Sequence, residues 1–221
     1  MSQRPIPWVL YAASLAQWLP VLAAARYGFK LPSPRRWIVV WCIALWATDA
    51  AQLYFRGPGV NNLWIQYTGV PLHNAIMLWA LSLWQRDPVW RLAFRVAIPL
   101  VLLALLVLIP AVQSAARFNQ IAWPFQALVL LAASLFTLVT LAIRQPERVT
   151  AHDWFWVTLG MSLFFALRVA LPPFVELTLH TNRELARLAY VVSAWTDIVA
   201  LFLIARGMLC PLPPAHSGGS S

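Results

Sequence analysis

Residues 121–143 read IAWPFQALVLLAASLFTLVTLAI, and none of them is charged. A helix needs about 20 apolar residues to cross the hydrocarbon core of a bilayer, and this run is long enough. Strands of ordinary length are much shorter, and a helix on the surface of a soluble protein carries a polar face. The run therefore predicts a transmembrane helix.

Six further apolar runs of similar length lie on either side of this one, separated by short segments with charges, prolines or glycines. Such residues are typical of loops and helix ends. The sixth run is expected to end at Pro172-Pro173, because proline interrupts helical hydrogen bonding. The seven predicted spans cover residues 6–25, 37–55, 63–84, 92–112, 121–143, 154–171 and 188–204.

These runs predict an all-α fold, a polytopic bundle of seven transmembrane helices in one domain over residues 1–210. The composition agrees, since 61% of the 221 residues are hydrophobic and 10% are charged. A typical soluble domain has about a quarter of its residues charged. Residues 211–221 are rich in proline, glycine and serine and are predicted to be a disordered tail.

Arginine and lysine predict the orientation of the bundle. Ten of them lie after the first, third and fifth spans or near the C-terminus, and five lie on the opposite side. Loops rich in these residues stay in the cytoplasm, so we expect the N-terminus outside and the C-terminus inside. The net charge of +9 is therefore explained by basic loops that set the topology and contact lipid headgroups, and it does not indicate nucleic-acid binding.

The first predicted partner is the lipid bilayer. Many of the thirteen tryptophans lie at the ends of predicted spans, where belts of aromatic residues anchor helices in a membrane. We expect a multi-pass protein of the cell inner membrane or plasma membrane. Lys30 is the only lysine, and this arginine-rich usage indicates a bacterial source. The first run could instead be a cleaved signal peptide, but its length, Gln17 and Pro20 favour a retained helix.

Arg95 is counted with the inner basic residues at the start of the fourth span. Three further charged side chains lie within predicted spans, namely Asp49, Arg168 and Asp197. A charge in hydrocarbon is costly, so each is a candidate functional residue. At 1.5 Å per residue, Asp49 and Arg168 should lie at similar heights, about 20 Å from the inner ends of their helices. We therefore predict that these two can pair, and that Asp197 joins them or bonds to His73 or Asn74.

His73 and Asn74 lie in the third span close to Pro71. A proline there can kink the helix, and kinked helices with polar neighbours often border cavities. Our leading hypothesis is an outward-opening polar pocket between spans two, three, six and seven that binds a small molecule for transport or sensing. Asp49 and Arg168 would form its charged walls, and Asp197, His73 and Asn74 its floor.

The alternative is a structural or scaffolding membrane subunit of a larger complex, with membrane protein partners. In that case the intramembrane charges form an internal network that fixes helix packing. Without a ligand, each of the five candidate residues would serve the fold alone.

The sequence has no motif typical of catalysis, and we expect a non-enzymatic protein. A retinal Schiff base needs a lysine inside the bundle, and Lys30 lies in a loop. Haem usually needs paired histidines, and the other histidines lie outside the spans. There is no His-Glu-x-x-His metal motif, no Gly-x-Ser-x-Gly and no P-loop. Cys42 and Cys210 predict neither a disulfide nor a metal site, so no cofactor is expected.

Overall fold

The computed structural model describes residues 8–28, 31–55, 63–112, 122–145, 149–179 and 181–211. Regular structure within these ranges is helical, which confirms the predicted all-α class. The helices are α1 (Trp8–Ala16), α2 (Trp18–Ala25), α3 (Ser33–Tyr54), α4 (Leu63–Trp84), α5 (Pro88–Val112), α6 (Ala122–Arg144), α7 (Asp153–Leu179) and α8 (Arg183–Met208), with a 3-10 turn at Val149–Ala151. The predicted disordered tail lies, apart from Pro211, outside the described residues.

Within the described ranges, six stretches are long and apolar enough to cross a membrane. They are α1 together with α2, then α3, α6 and α8, and most of α5 and α7. The remaining predicted span, α4, has 22 residues, but polar residues such as Gln66, His73 and Asn74 lower its hydropathy. It packs between α3, α5 and α6. The seven-span count and the orientation of the termini stay predictions.

The first predicted span is broken at Gln17, where α1 ends and α2 begins. Pro20 explains the break, because it has no N–H for the carbonyl of Ala16 and its ring crowds that carbonyl. Gln17 itself is buried, and its side chain reaches across to α3. The proline thus places a polar group inside the bundle.

α7 continues to Leu179, so the predicted end at Pro172-Pro173 is wrong. On either side of the prolines, Leu171 and Val175 of α7 pack against Ala186 of α8. This tertiary packing outweighs the cost of the missing helical hydrogen bonds. α8 also begins earlier than predicted, at Arg183, because the side chain of Asn182 accepts hydrogen bonds from backbone N–H groups of its first turn.

α7 and α8 approach closely at two glycines. A Cβ atom on Gly160 would lie 2.6 Å from the carbonyl oxygen of Ala200, and one on Gly207 would lie 2.6 Å from Cγ2 of Val157. Small residues permit this kind of packing between membrane helices. The close approach brings facing side chains of α7 and α8 within bonding distance of each other.

Arg35 holds together the end of the bundle at which α3 and α7 begin. It is 1% exposed, and its Nε donates a 2.8 Å hydrogen bond to Oδ2 of Asp153. Its other nitrogens donate to the backbone carbonyls of Met208, Cys210 and Pro211. Arg35 therefore joins the start of α3, the start of α7 and the end of α8, as expected for helices that alternate in direction.

Candidate functional site

Two adjoining cavities lie between the helices. The first, cavity A, has a volume of about 140 Å³ and lies between α3, α4, α6 and α7. The second, cavity B, has a volume of about 180 Å³ and lies between α1, α3, α6, α7 and α8. Asp49, Trp123, Phe164 and Arg168 line both of them. We call the two cavities together the chamber. Asp49 follows Arg35 on α3 by about 21 Å, so the chamber lies well away from the Arg35 end.

Cavity A combines aromatic rings with polar side chains. The aromatic lining consists of Trp41, Trp123, Phe164 and Phe165. Trp41 and Phe164 meet edge to face, with ring centroids 5.4 Å apart, and both are fully buried. Besides Asp49 and Arg168, the polar lining consists of Thr48, Gln52, Gln66, His73 and Gln126. The cavity therefore offers rigid apolar faces and several hydrogen-bonding groups.

Arg168 forms an ion pair with Asp197. Its NH2 nitrogen lies 3.0 Å from Oδ2 of Asp197, and the two side chains are 17% and 14% exposed. The guanidinium also lies over the ring of Phe164, with Cζ 3.9 Å from the centroid. The ion pair and the aromatic contact together fix the guanidinium at the boundary of the two cavities.

Asp49 is not paired with Arg168, which corrects the pairing predicted from helix heights. Its carboxylate accepts a 2.6 Å hydrogen bond from Nε2 of Gln17, and no cation of the described ranges lies within 4 Å of it. The reason is the packing of α7, which brings Asp197 of α8 closer to the guanidinium than Asp49 of α3. Asp49 is therefore an acid with a neutral partner.

His73 lines cavity A, but it bonds to α3 and not to Asp197. Its Nε2 lies 3.3 Å from Oγ1 of Thr48. Gly69, one turn earlier on α4, brings the two helices together, since a Cβ there would lie 2.9 Å from Cγ2 of Thr48. The histidine is thus held against α3 at the edge of the chamber.

Asn74 is the predicted site residue that the structure does not bring to the chamber. It is 1% exposed and belongs to the lining of neither cavity. Neither atom of its amide group has a hydrogen-bond partner in the described part of the chain. Asp49, Arg168, Asp197 and His73 do line the chamber, and a ligand-binding role for them stays a prediction.

The sequence does not indicate the aromatic lining. The prediction places Trp123 in an interfacial belt and Trp41 in helix packing, because tryptophans in a continuous apolar run give no sign of the face they occupy. Gln17 and Gln126 are visible as polar residues within spans, yet each alone favours a structural role. Only the helix arrangement places all four around the same space.

Several polar atoms of chamber residues have no hydrogen-bond partner among the described residues. They are Gln17 Oε1, Trp41 Nε1, Gln126 Oε1, Arg168 Nε and Asp197 Oδ1. Buried polar groups are normally bonded, and leaving one unpaired costs about 1–3 kcal/mol. Five such atoms around one space mark a place where the fold alone does not satisfy its own polar groups.

The chain is an all-helical protein, and its helices are long and apolar enough for a multi-pass membrane protein. Between these helices lies the charged chamber. No protein-family model, curated protein or solved structure matches the chain. What the chain does is therefore inferred from the side chains of the chamber.

Proposed function

We propose that this protein binds a small molecule in the chamber, as a membrane carrier or sensor, and that it is not an enzyme. The observation that carries the proposal is the empty space beside Asp49 and Arg168. Charged groups that served packing alone would be expected to pack against one another without leaving a cavity, because a cavity lowers stability. Here the charged groups face open volume instead.

The unpaired polar atoms support the same proposal. A ligand with donors and acceptors could bond to groups that the chain leaves unsatisfied, and the free energy lost on folding would be regained on binding. A site that is already formed also binds at lower entropic cost. The chamber therefore has the polar groups and the preformed shape that a binding site needs.

Access from the outside of the cell is part of the proposal. Gln52 and Gln66 line cavity A, and they lie close to the end of α3 and the start of α4. That end of the bundle is the one predicted to face outward. The proposed topology is seven spans in an inner or plasma membrane, with the C-terminus in the cytoplasm.

A second candidate function is a structural subunit of a larger membrane complex. It is favoured by an apolar groove of about 370 Å³ between α7 and α8. Leu167 and Phe174 of α7 and Leu185 and Val192 of α8 line this groove. A groove of this kind can accept a lipid chain or a helix of another protein.

Native mass spectrometry of the full-length protein in a mild detergent separates the two functions. Binding predicts a co-purified small molecule that is lost in Asp49→Asn and in Arg168→Gln. The matched control is Asp87→Asn, which makes the same chemical change at a carboxylate outside the chamber, 34% exposed. A stoichiometric partner chain without any small molecule would refute the binding proposal and favour the structural subunit.

A further inference from the structure

We infer that the chamber takes a small protonated amine, with Asp49 as its counter-ion. This inference rests on the proposed function and names the chemical class of the ligand. It follows from four properties of the chamber, namely its charge, its aromatic faces, its unpaired acceptors and its volume.

The charge of the chamber is unbalanced. Arg168 and Asp197 bond to each other and form a neutral pair. Asp49 is left with the neutral amide of Gln17, and the described residues offer it no cation within 4 Å. A carboxylate without a counter-ion between membrane helices is costly. A cation bound beside Asp49 would remove that cost, whereas an anion would be repelled by the unbalanced carboxylate of Asp49.

The rings around Asp49 suit an organic cation. Trp41, Phe164 and Phe165 line cavity A together with the carboxylate. A carboxylate combined with aromatic faces is a common way to hold an ammonium group, because the ring faces carry negative potential. Arg168 already has this arrangement, with its guanidinium 3.9 Å from the centroid of Phe164.

The unpaired acceptors favour an amine that carries N–H groups. The orientation of the Gln17 amide is fixed, since its Nε2 donates to Asp49, and its Oε1 therefore remains an acceptor without a partner. Oδ1 of Asp197 is a second acceptor of this kind. Both residues line cavity B beside Asp49. A primary ammonium can donate to several acceptors at once, whereas a quaternary ammonium donates to none.

The volume of the chamber limits the size of the amine. The two cavities measure about 140 Å³ and about 180 Å³. An apolar protein cavity of about 150 Å³ holds a benzene molecule. An ammonium group attached to one six-membered ring therefore fits, and benzylammonium is a suitable probe.

The test is isothermal titration calorimetry of the full-length protein in lipid nanodiscs, with empty nanodiscs to correct for partition into lipid. Four probes share one ring, namely benzylammonium, benzyl alcohol, benzyltrimethylammonium and benzoate. We expect benzylammonium to bind most tightly, because it alone combines positive charge with N–H donors. Asp49→Asn should weaken its binding about tenfold or more, and Asp87→Asn should leave it unchanged.

The probe series on the unaltered protein decides the inference even if Asp49→Asn fails to fold. Tighter binding of benzoate or of benzyl alcohol would overturn the amine and leave a binding chamber in place. Equal affinity of folded Asp49→Asn and the unaltered protein would also overturn it. If none of the four probes binds, the amine inference fails, and the proposed function then depends on the mass-spectrometric result alone.

Discussion

Arg35 and Arg168 are both arginines inside the bundle, each paired with one aspartate, yet their surroundings differ. Arg35 is 1% exposed and donates to Asp153 and to three backbone carbonyls. Arg168 is 17% exposed, pairs with Asp197 alone, and keeps an Nε without a partner in the described ranges. The first is saturated with acceptors and has a structural role. The second borders open space and has bonding capacity left over, which distinguishes a candidate site from a structural contact.

The largest effect on stability is expected from Arg35→Ala. It leaves the carboxylate of Asp153 without its cation and removes the guanidinium donors of the Met208 and Cys210 carbonyls. The loss of one partner of a buried ion pair costs about 3–5 kcal/mol. Equilibrium unfolding in detergent measures this change. The control is Arg144→Ala, which removes a pair 3.6 Å apart whose side chains are 45% and 34% exposed, and should cost about 0–1 kcal/mol. Equal effects of the two changes would contradict the structural role of Arg35.

The next largest effect is expected from Gly160→Ala, which tests the packing that sets Arg168 against Asp197. The added Cβ would meet the carbonyl oxygen of Ala200 at 2.6 Å, and this backbone atom cannot move aside cheaply. Overpacking of this kind costs about 1–3 kcal/mol. Thermal unfolding of the purified protein should show the loss.

The control for Gly160→Ala is Ala166→Leu, which adds a larger group at an exposed position on the same helix. It should leave the unfolding temperature almost unchanged. If Gly160→Ala is tolerated as well as this control, the close α7–α8 contact is not what positions the two charged side chains.

A smaller effect is expected from breaking the ion pair between Arg168 and Asp197. Double-mutant cycles with Arg168→Gln should give a coupling of about 1–3 kcal/mol to Asp197→Asn, because these side chains bond directly. The cycle with Asp49→Asn should be closer to additive, since Asp49 bonds to Gln17. The free energy of unfolding in detergent supplies both couplings. A larger coupling to Asp49 than to Asp197 would restore the pairing that the helix heights alone predict.

The sequence predicts the all-helical class and the positions of most helices, and it does so for physical reasons. Candidate spans can be recognised because crossing a bilayer requires length and apolarity. Asp49, Arg168 and Asp197 can be recognised because a charge within such an apolar run is costly. The partner of each charge is not visible. The rise per residue gives only the height of each side chain along the bundle, and at the height of Arg168 both Asp49 and Asp197 are within reach.

Other parts of the site depend on neighbours that a single sequence does not reveal. Gln17 reaches Asp49 because Pro20 breaks the first helix. A proline within an apolar run predicts a break or kink in the helix, but it does not predict which neighbouring helix the freed side chain will face. The predicted helix end at Pro172 fails because packing against α8 is invisible in the residues of α7 alone. Arg35 stands among several basic residues before an apolar run, and nothing in that pattern shows which of them is buried.

The smallest effect is expected from Asn74→Leu, which tests whether an unpaired polar group marks a site wherever it occurs. Asn74 is as buried as Arg35 and has no amide partner among the described residues, yet it lines neither cavity. Replacing an unsatisfied buried amide by an apolar group of similar size is nearly neutral or stabilising, so unfolding should change by less than about 1 kcal/mol. Ligand binding should stay intact, in contrast to Asp49→Asn. If Asn74→Leu abolishes ligand binding, the chamber extends along α4. Lining a cavity would then not be the property that distinguishes a binding-site residue from an unsatisfied buried polar residue.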